Sequence, residues 1–169
     1  MRARLQAEQG FGLIELLISI LMLNVGILAI IAAFNAGAVG LQRASETSTA
    51  SVLADKQMEL YRAVTHTNIA LLSSAVTTAS GNTAYAADTA YSGSQIVTAT
   101  CPGSPTPAQC DPMRTTTGPD HRSYRIDTYV VADTPPNGRP VKRVTVVVRR
   151  PSDGKSLARV TSTFDESTG

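Results

Sequence analysis

The chain has 169 residues, of which 43% are hydrophobic and only 17% are charged. That charged share lies well below the roughly 25% of soluble domains. Its 15 basic and 13 acidic residues leave a net charge of +2, too balanced for a protein whose main work is coating nucleic acid and unlike a charge-driven disordered chain. Aromatic residues make up 5% and Trp is absent, which argues against a large aromatic ligand pocket.

The hydrophobicity is concentrated near the N-terminus. The 27 residues from Leu16 to Gln42 contain no charge and no Pro. As a helix they would measure about 40 Å at about 1.5 Å per residue, enough to cross a hydrocarbon core of about 30 Å. Arg2 and Arg4 precede the run, which predicts an N-terminus held in the cytoplasm with the remainder translocated. Three fates compete: an uncut anchor, a signal peptide cut after Ala36-Gly37-Ala38, and a cut before the apolar run. The 19-residue core Leu16–Phe34 is long against the about 7–15 residues of a signal peptide. Two further features favour the third fate. Glu15 places a carboxylate at the start of an otherwise apolar segment, where burial in lipid is costly and a function or a named partner is expected; a position at the membrane edge, favoured by the helix dipole, is the plainer account. Gly10-Phe11 follows a short polar leader, MRARLQAEQ.

Together, Gly10-Phe11-Gly12-Leu13-Ile14-Glu15-Leu16-Leu17 resembles the class III signal of type IV prepilins. The continuation Leu23-Asn24-Val25-Gly26-Ile27-Leu28 and the segment Ala54–Ala63 resemble the PilV-type minor pilins, or type IV pilus modification proteins. The resemblance covers roughly the first 65 residues. It implies cleavage between Gly10 and Phe11 by a prepilin peptidase, N-methylation of Phe11, and pairing of Glu15 with the Phe11 amine of a neighbouring subunit. The implied partners are that peptidase, other pilin subunits, the membrane platform of the assembly machinery and the lipid bilayer. The implied location is the cytoplasmic membrane in a single pass, then the surface filament. A type II secretion pseudopilin carries the same signal and stays open as an alternative. So does an anchored or secreted binding domain.

One helix is predicted from about Phe11 to about Thr65, with 11–42 in the membrane or filament core and 43–65 amphipathic. Leu53, Leu60, Tyr61 and Val64 fall on one face. Residues 66–120 read as a variable loop region rich in Ala, Ser, Thr and Gly, with weak strand potential at Gln95–Thr100; between Ala63 and Cys110 the only formal charge is Asp88. Cys101 and Cys110, exported to an oxidising compartment, are expected to form a disulfide. Without a nearby His or CxxC spacing they make a poor zinc site.

The segment 121–169 reads as an antiparallel meander. Tyr124–Ala132, Val141–Arg150 and Leu157–Phe164 alternate as strands, joined by turn chemistry at 133–140 and 151–154. The expected fold is therefore α+β and pilin-like, a long N-terminal helix packed on a small antiparallel sheet. Lys142, Arg143, Arg149 and Arg150, with Arg139 and Arg159, make a basic hairpin, read as DNA-contacting or as a solvated, charge-guarded strand face. The lack of interleaved aromatics favours the second reading, and nucleic acid is not expected as a partner. His66 and His121 stand alone, and no phosphate loop, HExxH or GxSxG occurs. No enzyme, cofactor or metal is expected.

Overall fold

The structure, a computed structural model, describes residues 12–101, 106–136 and 138–166. Its main elements are a helix α1, Leu13–Arg62; two short helices, α2, Ser73–Ser80, and α3, Thr83–Ala86; and six strands. Strands β3, Met113–Thr117; β4, Ser123–Asp133; β5, Val141–Arg149; and β6, Ser156–Asp165, form an antiparallel sheet in the order β3-β4-β5-β6. Two dipeptides, β1, Leu71–Leu72, and β2, Thr98–Ala99, pair in parallel beside it. The chain divides into two compact units, one up to Arg43 and the other from Ala44 onward.

The α+β architecture is as expected: a long helix packed on a small antiparallel sheet. The sheet has one strand more than the three foreseen. Met113–Thr117, inside the segment read as loop, pairs with β4 from Met113↔Asp127 to Thr117↔Ser123. Its Thr run carries β-propensity but no apolar alternation, so only pairing with β4 reveals it. Beyond β3, residues 95–97 take its place along β4. Ile96 bridges Val131, and the Val97 N–H donates to the Val130 carbonyl at 2.8 Å. The weak strand signal at Gln95–Thr100 is this short pairing.

The helix packs on the sheet through Ala50, Ala54, Met58 and Tyr61, all fully buried. They meet Tyr124, Ile126 and Val130 of β4 and Val144, Val146 and Val148 of β5. These are the strand faces that the sequence alternation predicts, and the ladder aligns them as Ile126↔Val148 and Val130↔Val144. The helix face is rotated from the expected one. Leu53 and Leu60 lie half-buried at its flank, while two alanines occupy the centre. The stripe that faces the sheet is therefore the Ala50, Ala54, Met58 and Tyr61 one, with the leucines beside it. Each large apolar side chain so buried contributes about 1.5–3 kcal/mol.

The opposite sheet face is also covered, which the loop reading of 66–120 did not anticipate. Ala79 and Tyr85 pack with Tyr129 and Val147 in a second cluster. The rings of Tyr85 and Tyr129 stack at 4.4 Å between centroids. The Tyr85 hydroxyl donates to the Thr128 carbonyl at 2.9 Å, and the Tyr129 hydroxyl donates to the Tyr85 carbonyl at 3.1 Å. Asn82 caps α3, its Oδ1 accepting from the Ala84 and Tyr85 N–H groups. A low-charge segment thus folds because Tyr85 has the Tyr129 ring to stack on, with Tyr91 edge-on beside it.

Met58 lies at the centre of the helix–sheet contact, so Met58→Ala should cost about 2–5 kcal/mol. Urea unfolding of the detergent-solubilised chain, followed by tyrosine fluorescence, measures this as a lowered midpoint.

Candidate functional site

Two regions bear on function, one in each compact unit. In the first, α1 opens at Leu13, with the Glu15 and Leu16 N–H groups both bonded to the Gly12 carbonyl. Glu15 lies in the first helical turn, where the dipole favours an anion. The following apolar side chains, among them Leu17, Ile20, Leu21, Leu28, Ile31 and Phe34, are all exposed and lie all around the helix. A helix apolar on every side belongs in a protein interior or a membrane. This one is long and apolar enough to cross a bilayer, and its apolar window is unburied. Gly26, Gly37 and Gly40 have open space where a Cβ would sit. Gly10 and Phe11, the cleavage and methylation positions suggested by the sequence, lie outside the described residues.

In the second unit Cys101 and Cys110 form the expected disulfide, with Cα atoms 6.3 Å apart. Closing so short a loop is worth about 2–3 kcal/mol in the chain-entropy account. The loop is held to α1 by Gln57 Nε2, which donates to the Ala108 carbonyl at 2.8 Å, and by the Tyr61 hydroxyl, which donates to the Gln109 carbonyl.

The basic hairpin is where the structure departs most from the solvated strand face read from the sequence. Arg149 is only 8% exposed. Its Nε donates to Asp127 Oδ2 at 2.8 Å, its Nη1 to the Gly154 carbonyl at 3.1 Å and its Nη2 to Asp88. Arg125 Nη2 also reaches Asp127 Oδ2, at 2.9 Å. Arg159 Nη2 donates to both Asp88 oxygens at 2.7 Å. A carboxylate and a guanidinium buried in one place exchange lost hydration for mutual attraction. The lone charge of the 63–110 segment, Asp88, is thus the anchor that fixes the α2–α3 cover to the sheet.

Of the other hairpin cations, Lys142, Arg143 and Arg150 are also engaged, while Arg139 is exposed. Arg150 Nη2 and Arg122 Nη1 both donate to Glu46 on α1, the former at 2.6 Å. Arg150 Nη1 also pairs with Asp153 at 2.9 Å, and Arg143 pairs with Asp133 at 2.9 Å. The Lys142 ammonium donates to the His66 carbonyl at 2.7 Å. Gly118, in the β3–β4 turn, tolerates no side chain: a Cβ there would lie 2.6 Å from Asp120 and 2.8 Å from Thr49. Sequence reading missed Glu46, Asp88 and Asp127 as anchors. The isolation of Asp88 in an uncharged segment was the one available signal.

Burial opposes ionisation of Asp88, but hydrogen bonds from Arg159 and the Ala90 N–H, with the charges of Arg159 and Arg149, outweigh it and hold its carboxyl below the usual range. Burial raises the phenols of Tyr61, Tyr85 and Tyr129 far above their ordinary value. Burial, then the bond to Asp120, pushes Tyr124 up to about 12. Among the described residues no group of three His, Cys, Asp or Glu side chains is placed to hold a metal ion. Comparison with protein-family models, curated proteins and solved structures finds no match to this chain.

Asp127→Ala should cost about 3–5 kcal/mol, because it leaves Arg125 without its carboxylate partner and Arg149 with Asp88 as its one remaining carboxylate in a largely buried site. Arg159→Ala, which removes a half-exposed partner, should cost only about 0–1 kcal/mol; urea midpoints of the two variants compare them. The pH dependence has opposite signs at its two ends. Asp88, depressed in the folded state, contributes stability above the unfolded carboxyl value of about 3.9 and loses it as pH falls through its lower folded value. The four raised tyrosines contribute fully below about pH 10 and lose their contribution as pH rises toward and beyond 12. The tyrosinate absorbance of these four should therefore appear together with loss of structure at alkaline pH.

Proposed function

We propose that this chain is a minor pilin of the PilV type. It would be processed by a prepilin peptidase and incorporated into a type IV pilus, or prime its assembly. The observation that carries this reading is the first half of α1, apolar and exposed on all sides, with a single carboxylate in its first turn. Water does not support such a surface. A bilayer covers it before assembly and neighbouring helices cover it afterwards.

In this reading Gly10 is small enough to let the peptidase approach the backbone. Cleavage before Phe11 then frees an amine four residues from Glu15. In a bundle of such helices Glu15 pairs with the methylated Phe11 amine of a neighbour, which replaces an isolated charge in an apolar core by a paired one. The same pairing selects helix register, since a misaligned neighbour leaves the carboxylate alone. The second unit then presents its surface outside the membrane, in the oxidising compartment that suits the Cys101–Cys110 bond. The other pilin subunits and the membrane platform are the partners this role requires. The ion pairs of Arg143, Arg149, Arg150 and Arg159 support a protein-assembly role over nucleic-acid binding.

The test is the intact mass and N-terminal peptide of the chain after expression with a prepilin peptidase. The expected product begins at Phe11 and carries one methyl group on its amine. A product beginning at Val39 would make the apolar run an ordinary signal peptide, and one that keeps Met1 would make it a plain anchor. Either outcome sinks the proposal.

A further inference from the structure

The apolar first half of α1 carries two amides. Asn24 and Asn35 are both exposed, and among the described residues neither side chain has a hydrogen-bond partner. Ser19, by contrast, is satisfied within the helix, where it donates to the Glu15 carbonyl at 2.7 Å. Asn24 lies eight residues beyond Leu16, and Asn35 lies seven before Gln42. At about 1.5 Å per residue, each is about 10–12 Å inside its end of the charge-free run. So short a side chain does not reach water from there. An amide with open donors and acceptors is costly in lipid, and another helix can supply the missing bonds.

The two amides share one seam. They are eleven residues apart, close to three turns at about 3.6 residues per turn. Leu17, Leu21, Asn24, Leu28, Ile31 and Asn35 recur at alternating spacings of four and three, the pattern of a left-handed helix pair. All six are exposed. An amide both donates and accepts, so it is complementary to another amide that faces it. A second copy of this chain, entering the membrane in the same direction, carries both amides at matching depths. In a parallel pair without stagger, Asn24 faces Asn24 and Asn35 faces Asn35. A shift of one heptad sets Asn24 against Ile31 and Leu28 against Asn35, which leaves amides against apolar side chains. Asn in an apolar seam fixes helix register in this way.

The geometry points to the Leu17–Asn35 seam as a self-recognition face, along which two copies of this chain pair in parallel and in register within the bilayer through Asn24–Asn24 and Asn35–Asn35 hydrogen bonds. Parallel pairing keeps both helices running the same way through the membrane. It also leaves Glu15 free for its own partner. Glu15 precedes Asn24 by nine residues, about two and a half turns, and so lies on the opposite side of the helix. The inference rests on the membrane location of the apolar run proposed above, and not on cleavage at Phe11.

The test is Ile31→Cys in the full chain, in isolated and mildly oxidised membranes, with Ala33→Cys as the control. Ala33 follows Asn24 by nine residues and faces away from the seam. Cys101 and Cys110 are bonded to each other and offer no competing thiol. The expected result is a homodimer linked through position 31, mapped by non-reducing peptide analysis, with little through position 33. Adding Asn24→Leu and Asn35→Leu keeps the segment apolar and should lower the dimerisation constant about tenfold. The intact mass of the same membrane samples reports the N-terminus, so failed pairing and failed processing are read separately. A chain that begins at Val39 has no seam and overturns both proposals. In a chain that keeps the seam, absence of the position-31 homodimer, equal linking at position 33, linking unchanged by the two leucines, or linkage to a different protein overturns this one alone.

Discussion

Much of the folded unit depends on one constraint: β4 and β5 are buried on both faces. A strand pair in that position cannot alternate between core and water, and β4 reads as six consecutive buried residues from Ile126 to Val131. One face is sealed by the helix through Ala50, Ala54, Met58 and Tyr61. The other has no second long helix to seal it and recruits the Ala- and Thr-rich segment around Tyr85. That arrangement buries Asp127 completely, and an ionised carboxylate there is tolerable only because Arg149 and Arg125 lie within hydrogen-bond distance. Asp88 then neutralises what Arg149 has left over and draws its own segment onto the sheet.

Glu46 does comparable work on the helix side. It sits about one turn beyond the apolar run and accepts from Arg122 before β4 and from Arg150 after β5. Two hairpin ends are thereby tied to one helical position. Near this attachment Gly118 lies close to Thr49, Asp120 and Tyr124, so that an added Cβ would force one of them to shift. The disulfide loop is tied to the same helix further along, by Gln57 and Tyr61. The helix surface in this unit therefore serves as a frame with three polar attachments along an apolar seam.

The two halves of α1 obey different rules. From Ala44 onward the helix is selective, burying one stripe and leaving Asp55, Lys56 and Glu59 in solvent. Before Arg43 it is apolar all round, so its partners must come from outside the folded unit, whether lipid or other helices.

The sequence by itself determined the elements that local periodicity encodes: the long apolar helix, three strands with their inward faces, the turns between them and the Cys pair. Alternation and hydrophobic length are properties of neighbours in the chain, and they survive without knowledge of the fold. Only the tertiary structure decided which helix stripe faces the sheet, burying Ala50 and Ala54 and leaving the larger Leu53 and Leu60 half-buried. It alone showed that residues 73–91 form a cover and that Met113–Thr117 is a strand. It alone showed that Arg149 of the basic hairpin is buried among carboxylates rather than set on a solvated face. The partners of Arg149 lie 22 and 61 residues away. The attraction between two charges depends on their separation in space and on the water excluded around them, and neither quantity is written in the order of the residues.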